Sequence, residues 1–182
     1  FDAVSGHFQK KEEADKVASD CSERMCQVEK EDIQTKTVRS PKLYDLTSLQ
    51  RDANRIFGYT AQQTLDAVQE MYEKKLVTYP RTDSQYLTDE MGESTRKLIQ
   101  VLLCRMPFSE GMEYEPEVSK VLNSKKVSDH HAIIPTSEVE KADLQKLKEK
   151  ERNILYLISA RVLTATADSY IYETHKCQLT CN

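Results

Sequence analysis

The sequence has little glycine and little proline, four and five residues in 182. So few chain breakers argue against long disordered linkers. It has no apolar run near the ~20 residues that a membrane-spanning helix needs, and no signal-peptide pattern. No membrane partner is therefore expected. The five cysteines, Cys21, Cys26, Cys104, Cys177 and Cys181, contain no Cys-x-x-Cys pair. That disfavours a structural zinc site or a disulfide framework and fits a reducing interior. Excess positive charge is also lacking: the formal net charge is −4. A uniformly basic nucleic-acid coat is excluded, so any such contact needs a local positive patch on an acidic body. There is no Gly-rich phosphate loop and no Asp-x-Asp-x-Glu-type metal cluster. Glu12-Glu13 and residues 29–32 read as solvated helix ends. The first residue is Phe1 rather than methionine, which reads as a piece of something larger.

Hydrophobic content of 38% against 31% charged favours amphipathic helices over a buried parallel sheet. Residues 10–28 predict a helix, with Ala14, Val17, Ala18, Cys21, Met25 and Val28 at helical spacing. Residues 33–39 predict a strand, and Ser40-Pro41 marks a boundary. Thr47-x-x-Gln50 predicts a capping box opening a helix that Gly58 closes. Thr60-x-x-Gln63 predicts a second, with Leu65, Val68, Met71 and Tyr72 inward. Two helices joined by so short a glycine turn suggest a helix-turn-helix, although many helical hairpins bind nothing. Thr88 is placed as the cap of a helix to about residue 104. Residues 105–115 read as a loop, and Pro116 opens a short helix. Asp143 is taken to begin a long helix to about residue 167. The charge run 140–152 reads as a solvated face. Residues 170–181 alternate in β style, and a strand there could pair with 33–39.

The chemistry-bearing stretch is Leu76-Val77-Thr78-Tyr79-Pro80-Arg81-Thr82-Asp83-Ser84. Proline holds the residue before it out of helical angles, so Tyr79 belongs to extended backbone. Arg81, two residues on, shares its side of such a chain. A phenol beside a permanent cation suits attack on a phosphate ester, because the cation favours phenolate and binds phosphate oxygens. The plainer reading is a packed turn tyrosine. A second stretch runs Lys125-Lys126-Val127-Ser128-Asp129-His130-His131-Ala132-Ile133-Ile134-Pro135-Thr136. Adjacent histidines in extended chain face opposite ways, so at most one serves a given site. No His-x-x-x-His spacing or nearby cysteine makes them metal ligands. A phosphate-contacting loop histidine and a pair of packing histidines both remain open.

Leu43-Tyr44-Asp45-Leu46-Thr47-Ser48-Leu49-Gln50, the Tyr79-Pro80-Arg81 stretch and His130-His131-Ala132-Ile133-Ile134-Pro135-Thr136 occur in an order that resembles the type IA DNA topoisomerases. The forms look most like the bacterial topoisomerase III branch. The resemblance covers roughly residues 40–175. It implies a mainly α fold with a small β component. A helix-turn-helix, winged-helix-like tyrosine domain (41–169) would be inserted into strands of a β-rich arch domain (1–40 and 170–182). It implies that Tyr79 attacks a backbone phosphate of single-stranded DNA and leaves a 5′-phosphotyrosyl link, without ATP. Arg81 would hold the phosphate and His130 would assist. His131, Lys125, Lys126, Thr82, Asp83 and Ser84 would contact DNA. Magnesium would be bound by a toprim domain whose acidic cluster is missing here, so this chain would hold no metal and would be inactive or weak alone. Its partners would be single-stranded DNA and the remaining domains of the same polypeptide, with the fragment itself a monomer. A non-catalytic DNA-binding module and a structural fragment are the alternatives. A tyrosine recombinase fits less well, since it places its tyrosine after its arginine and histidine.

Overall fold

The computed structural model describes residues 6–22, 25–111 and 115–181. In chain order they form α1 (Lys11–Cys21), β1 (Cys26–Val38), α2 (Leu46–Phe57), α3 (Ala61–Glu73), α4 (Gly92–Arg105), α5 (Glu149–Thr166) and β2 (Tyr170–Cys181), with short 3-10 turns between α4 and α5. The backbone falls into two compact units, one of residues 1–38 with 171–182 and one of residues 39–170.

In the smaller unit β1 and β2 pair as a two-stranded sheet. The pairing of early and late strands follows the sequence pattern, but β1 starts seven residues before the predicted residue 33. Residues 29–32 therefore belong to the strand and are not a solvated helix end. Every residue of β1 is exposed. Charged side chains cost nothing on such a ribbon, and cross-strand partners such as His175 with Glu31 hold it. The hydrogen bond to Glu31 raises the pKa of His175 above its ordinary value. The predicted helix at 10–28 shortens to α1, which buries none of its residues. Residues 23 and 24, within that prediction, lie outside the described residues, as do 112–114 of the predicted loop.

The larger unit is built on α2, α3 and α5. Leu49 and Ala53 of α2, Val68 and Met71 of α3, and Ile154, Leu155, Ile158 and Val162 of α5 are at most 1% exposed and share one core. Burying such side chains stabilises by about 1.5–3 kcal/mol each. The helix starts differ from the sequence reading. Asp45, not Thr47, caps α2: its carboxylate accepts from the Ser48 amide while the Ser48 hydroxyl accepts from the Asp45 amide. Gly58 closes α2 at φ 71°, where a side chain would be strained. Thr60 and Gln63 form the predicted box on α3. Thr88 and Asp143 precede only short 3-10 turns, and the α-helices begin later, at Gly92 and Glu149. Pro116 likewise precedes a 3-10 turn, Val118–Val121.

The end of α3 sets the direction of the tyrosine segment. The Leu76 amide donates to Met71 and the Lys75 amide to Tyr72, the paired bonds of a Schellman turn. Lys75 sits at its left-handed position, φ 61°, where glycine is usual. Buried Leu76 and Met71 supply the apolar contact that accompanies such a turn. The chain then runs antiparallel to residues 134–136, with Val77 opposite Pro135 in a single bridge.

Candidate active site

Three chain segments meet around Tyr79. Thr78 clamps the first to the second: its amide donates to Ile134, and its hydroxyl donates to Ala132 and accepts from the Ile134 amide. Thr136 closes the far end through its amide to Leu76 and its hydroxyl to the Lys75 carbonyl. Beyond Pro80 the Thr82 hydroxyl donates to the His130 carbonyl at 2.8 Å, and the Thr82 carbonyl accepts from the Leu46 amide that opens α2. Hydrogen bonds at Leu76 and Thr78 before it and at Thr82 after it therefore hold Tyr79, and among the described residues its phenol oxygen makes none.

Burial alternates along this segment. Pro80, Thr82 and Ser84 are buried, Arg81 and Asp83 are exposed, and Tyr79 is half-buried. This is the alternation expected of extended chain, and it puts Tyr79 and Arg81 on the outward side. The Tyr79 ring lies against His130, with centroids 4.3 Å apart and planes tilted by 41°. Tyr72, from the last turn of α3, meets it edge-on at 5.5 Å. Among the described residues Arg81 makes no side-chain hydrogen bond or ion pair, so its guanidinium is free to meet an anion.

The remaining predicted residues divide. His131 turns away and engages the Ala132 carbonyl through Nδ1, so His130 alone reaches Tyr79. Lys125 and Lys126 are exposed, and Lys126 Nζ sits 4.8 Å from the centre of the Tyr86 ring. Asp83 accepts from the Ser128 hydroxyl at 3.0 Å, which ties the two motif stretches together. Thr82 and Ser84 differ from expectation. They are 8% and 4% exposed, and their hydroxyls are spent on the carbonyls of His130, Tyr86 and Lys126. They brace the loops and offer no exposed donor.

Sequence reasoning missed three features. Tyr72 looks like core from helical spacing, yet it is 39% exposed and borders Tyr79. Glu151, inside a charge run read as solvated, is 1% exposed and paired with Lys74 at 2.5 Å. Arg161, Tyr44 and Asp52 form a packed triad, with Arg161 stacked 4.1 Å from the Tyr44 ring centre and bonded to both partners. Burial, with the Asp52 carboxylate beside it, pushes the Tyr44 phenol above its ordinary pKa. Burial opposes the Asp52 charge, but hydrogen bonds from Tyr44 and Arg55 and the charge of Arg161 outweigh it and hold its pKa low. No periodicity announces a partnership spread over residues 44 to 161.

Among the described residues no three His, Cys, Asp or Glu side chains converge as a metal cage, and no helix is long and apolar enough to cross a membrane. A surface hollow bordered by Leu103, Arg105, Asp143 and Tyr156 includes none of the motif residues.

Comparison with known proteins places the chain among DNA topoisomerases. The family described as DNA topoisomerase matches residues 2–182. DNA topoisomerase 3 of Bacillus subtilis is 41% identical over 149 residues, covering 75% of this chain and 19% of its own length. DNA topoisomerase 3 of Bacillus cereus is 37% identical over 175 residues, 90% of this chain and 23% of its own length. This chain thus spans about a fifth of the curated relatives it matches. Full-length topoisomerase I from Thermotoga maritima shares the fold over 98% of this chain and 29% of its own, with TM-score 0.67 at 23% identity. The motifs, in order and on this fold, together with a match over nearly the whole sequence, mean that the chain belongs to the type IA DNA topoisomerase family.

Proposed function

We propose that this chain carries the nucleophile half of a strand-passage site for single-stranded DNA. The Tyr79 oxygen, giving up its proton, attacks a backbone phosphorus. The bond from phosphorus to the 3′ oxygen breaks, and that oxygen leaves as a 3′-hydroxyl carrying a proton. Tyr79 keeps the 5′-phosphate. Rejoining is the reverse attack by the 3′-hydroxyl. The phosphodiester energy is stored in the tyrosyl ester, so no nucleotide cofactor is consumed. Negative charge gathers on the phosphate oxygens in the transition state, where a guanidinium is the natural electrostatic partner. Arg81 fills that role, and His130, in ring contact with Tyr79, orients the phenol.

The observation that carries this reading is the uncommitted pair. Tyr79 is held by its neighbours and is outward-facing, and Arg81 two residues on makes no internal ion pair. The residues described here do not fit a magnesium cage. A toprim domain elsewhere in the whole protein would supply that ion, and no step above runs through it. The domain reading continues with it: residues 41–169 form a winged-helix-like tyrosine domain set into an arch domain contributed by 1–40 and 170–182. The setting is a bacterial cytoplasm.

The test uses the full-length protein with magnesium and an end-labelled single-stranded oligonucleotide, stopped with denaturant. A protein–DNA adduct is expected, and Tyr79→Phe removes it. An adduct that survives Tyr79→Phe rejects the assignment. Binding without any adduct would favour the other reading, a DNA-binding module in which Tyr79 only stacks on a base.

A further inference from the structure

The acidic balance of the chain requires any DNA contact to come from a local positive patch, and the larger unit contains one beyond the tyrosine. A cleft beside the start of α2 is lined by Lys42, Ser48, Arg51, Asp52, Gln85 and Arg161. Its one lining acid, Asp52, is already occupied by Arg55, Tyr44 and Arg161. Asp45, at the cleft edge, is occupied by Ser48 and Gln85. Arg51 is exposed and, among the described residues, makes no side-chain hydrogen bond or ion pair. Lys42 is exposed too, and its ammonium only rests 5.5 Å from the Tyr86 ring centre, which Lys126 also approaches, at 4.8 Å. Lys42 and Arg51 are therefore cations that no carboxylate pairs with among the described residues.

The cleft also borders the tyrosine segment through Gln85. Residues 81–86 form no helix or turn, and Gln85 lies four residues beyond Arg81 on the same parity of the chain. Four residues of chain span at most about 14 Å, which bounds the separation of Gln85 from Arg81. Hydrogen bonds from Leu46 to Thr82 and from Gln85 to Asp45 hold that edge to the start of α2.

We propose that this cleft, with Lys42 and Arg51 as its phosphate contacts and Tyr86 with Lys126 at its rim, carries the backbone of the same single strand that is presented to Tyr79. The inference rests on the proposed function and extends its substrate path to a second set of phosphates. Compact cations without internal partners recognise backbone charge, not base identity, so the contact is independent of sequence.

The experiment measures binding of the full-length protein to an oligothymidylate over a salt series, for wild type, Arg51→Gln, Lys42→Gln/Arg51→Gln and the control Lys97→Gln, with adduct formation recorded on the same DNA. Each lost single-strand phosphate contact lowers the slope of log K against log salt by about 0.7. The double variant is therefore expected to lose about 1.4, Arg51→Gln about half that, and Lys97→Gln nothing. Wild-type slopes in both cleft variants, or an equal loss in the Lys97 control, overturn the cleft while adduct formation keeps the tyrosine reading standing. Absence of a wild-type adduct rejects that reading itself. Arg51→Gln removes a side chain with no internal partner, so its slope is readable even if the double variant loses stability. A loss of duplex affinity alone, with single-strand slopes unchanged, also overturns the proposal.

Discussion

The larger unit contains two tyrosine–arginine pairs, and they differ in what is left over. Arg161 stacks on Tyr44, bonds its hydroxyl and pairs with Asp52, so every polar group there is satisfied and Tyr44 is 1% exposed. Arg81 and Tyr79 stand outward and make no bond to each other or to a carboxylate among the described residues. The first arrangement stabilises a fold, because buried polar groups must be paired. The second holds its groups through the neighbouring Thr78 and Thr82 and leaves the reactive ends for a ligand. Residue type does not separate scaffold from site here; unspent hydrogen-bonding capacity does.

The largest expected effect falls on the open pair. Tyr79→Phe in the full-length protein abolishes the covalent adduct while unfolding at an unchanged temperature, since the phenol oxygen has no internal partner. Tyr44→Phe does the reverse and loses stability with little change in cleavage per folded molecule. Next in size, Arg81→Ala lowers the cleavage rate about 10²–10³-fold, as removal of a transition-state donor does. Rapid-quench cleavage at saturating oligonucleotide reads it, and a rise in KM alone would reduce Arg81 to a binding residue.

On the closed pair, Asp52→Ala destabilises by about 2 kcal/mol, because it strands the Arg161 guanidinium and the Tyr44 hydroxyl. Denaturant midpoints measure this. The same carboxylate gives a pH signature. Its folded pKa lies below the ordinary value, so the unfolded state takes up the proton first as pH falls. Its contribution is full above the usual carboxylate range, about pH 4, and is lost as pH drops through the folded pKa. Asp52→Asn flattens that part of the stability–pH curve, and an unchanged curve would contradict the assignment.

The smallest effect concerns the turn that aims the tyrosine. Lys75→Gly relieves a left-handed lysine and stabilises by up to about 1 kcal/mol, seen as a raised unfolding temperature. A loss of stability would mean that the side chain is needed more than the backbone is strained.

The sequence made the local features legible. Gly58 with Thr60 and Gln63 announced the turn between α2 and α3, the apolar stripe announced α5, and Tyr79-Pro80-Arg81 announced an outward extended segment. These are short-range patterns with a direct steric or capping cause. Tertiary partners stayed hidden. Asp45 took the cap from Thr47 because Ser48 could reciprocate, and Glu151 was buried because Lys74 lies across from it. Tyr72 left the core because it sits in the last turn of α3, where its ring meets Tyr79. The early strand ran past its predicted start because β2 supplied a long partner, which no charge count could reveal.

On the proposed function the open pair, not the closed one, meets DNA phosphate covalently. The most direct measurement traps the adduct in the full-length protein, digests it with nuclease and trypsin, and locates the tyrosine that retains a nucleotide. Cleavage after Lys75 and after Arg81, which Thr82 follows, isolates Tyr79 from Tyr44, Tyr72 and Tyr86. A 5′-linked nucleotide on the Tyr79 peptide is the predicted result. A nucleotide on any other tyrosine, or linkage through a 3′-phosphate, would contradict the account.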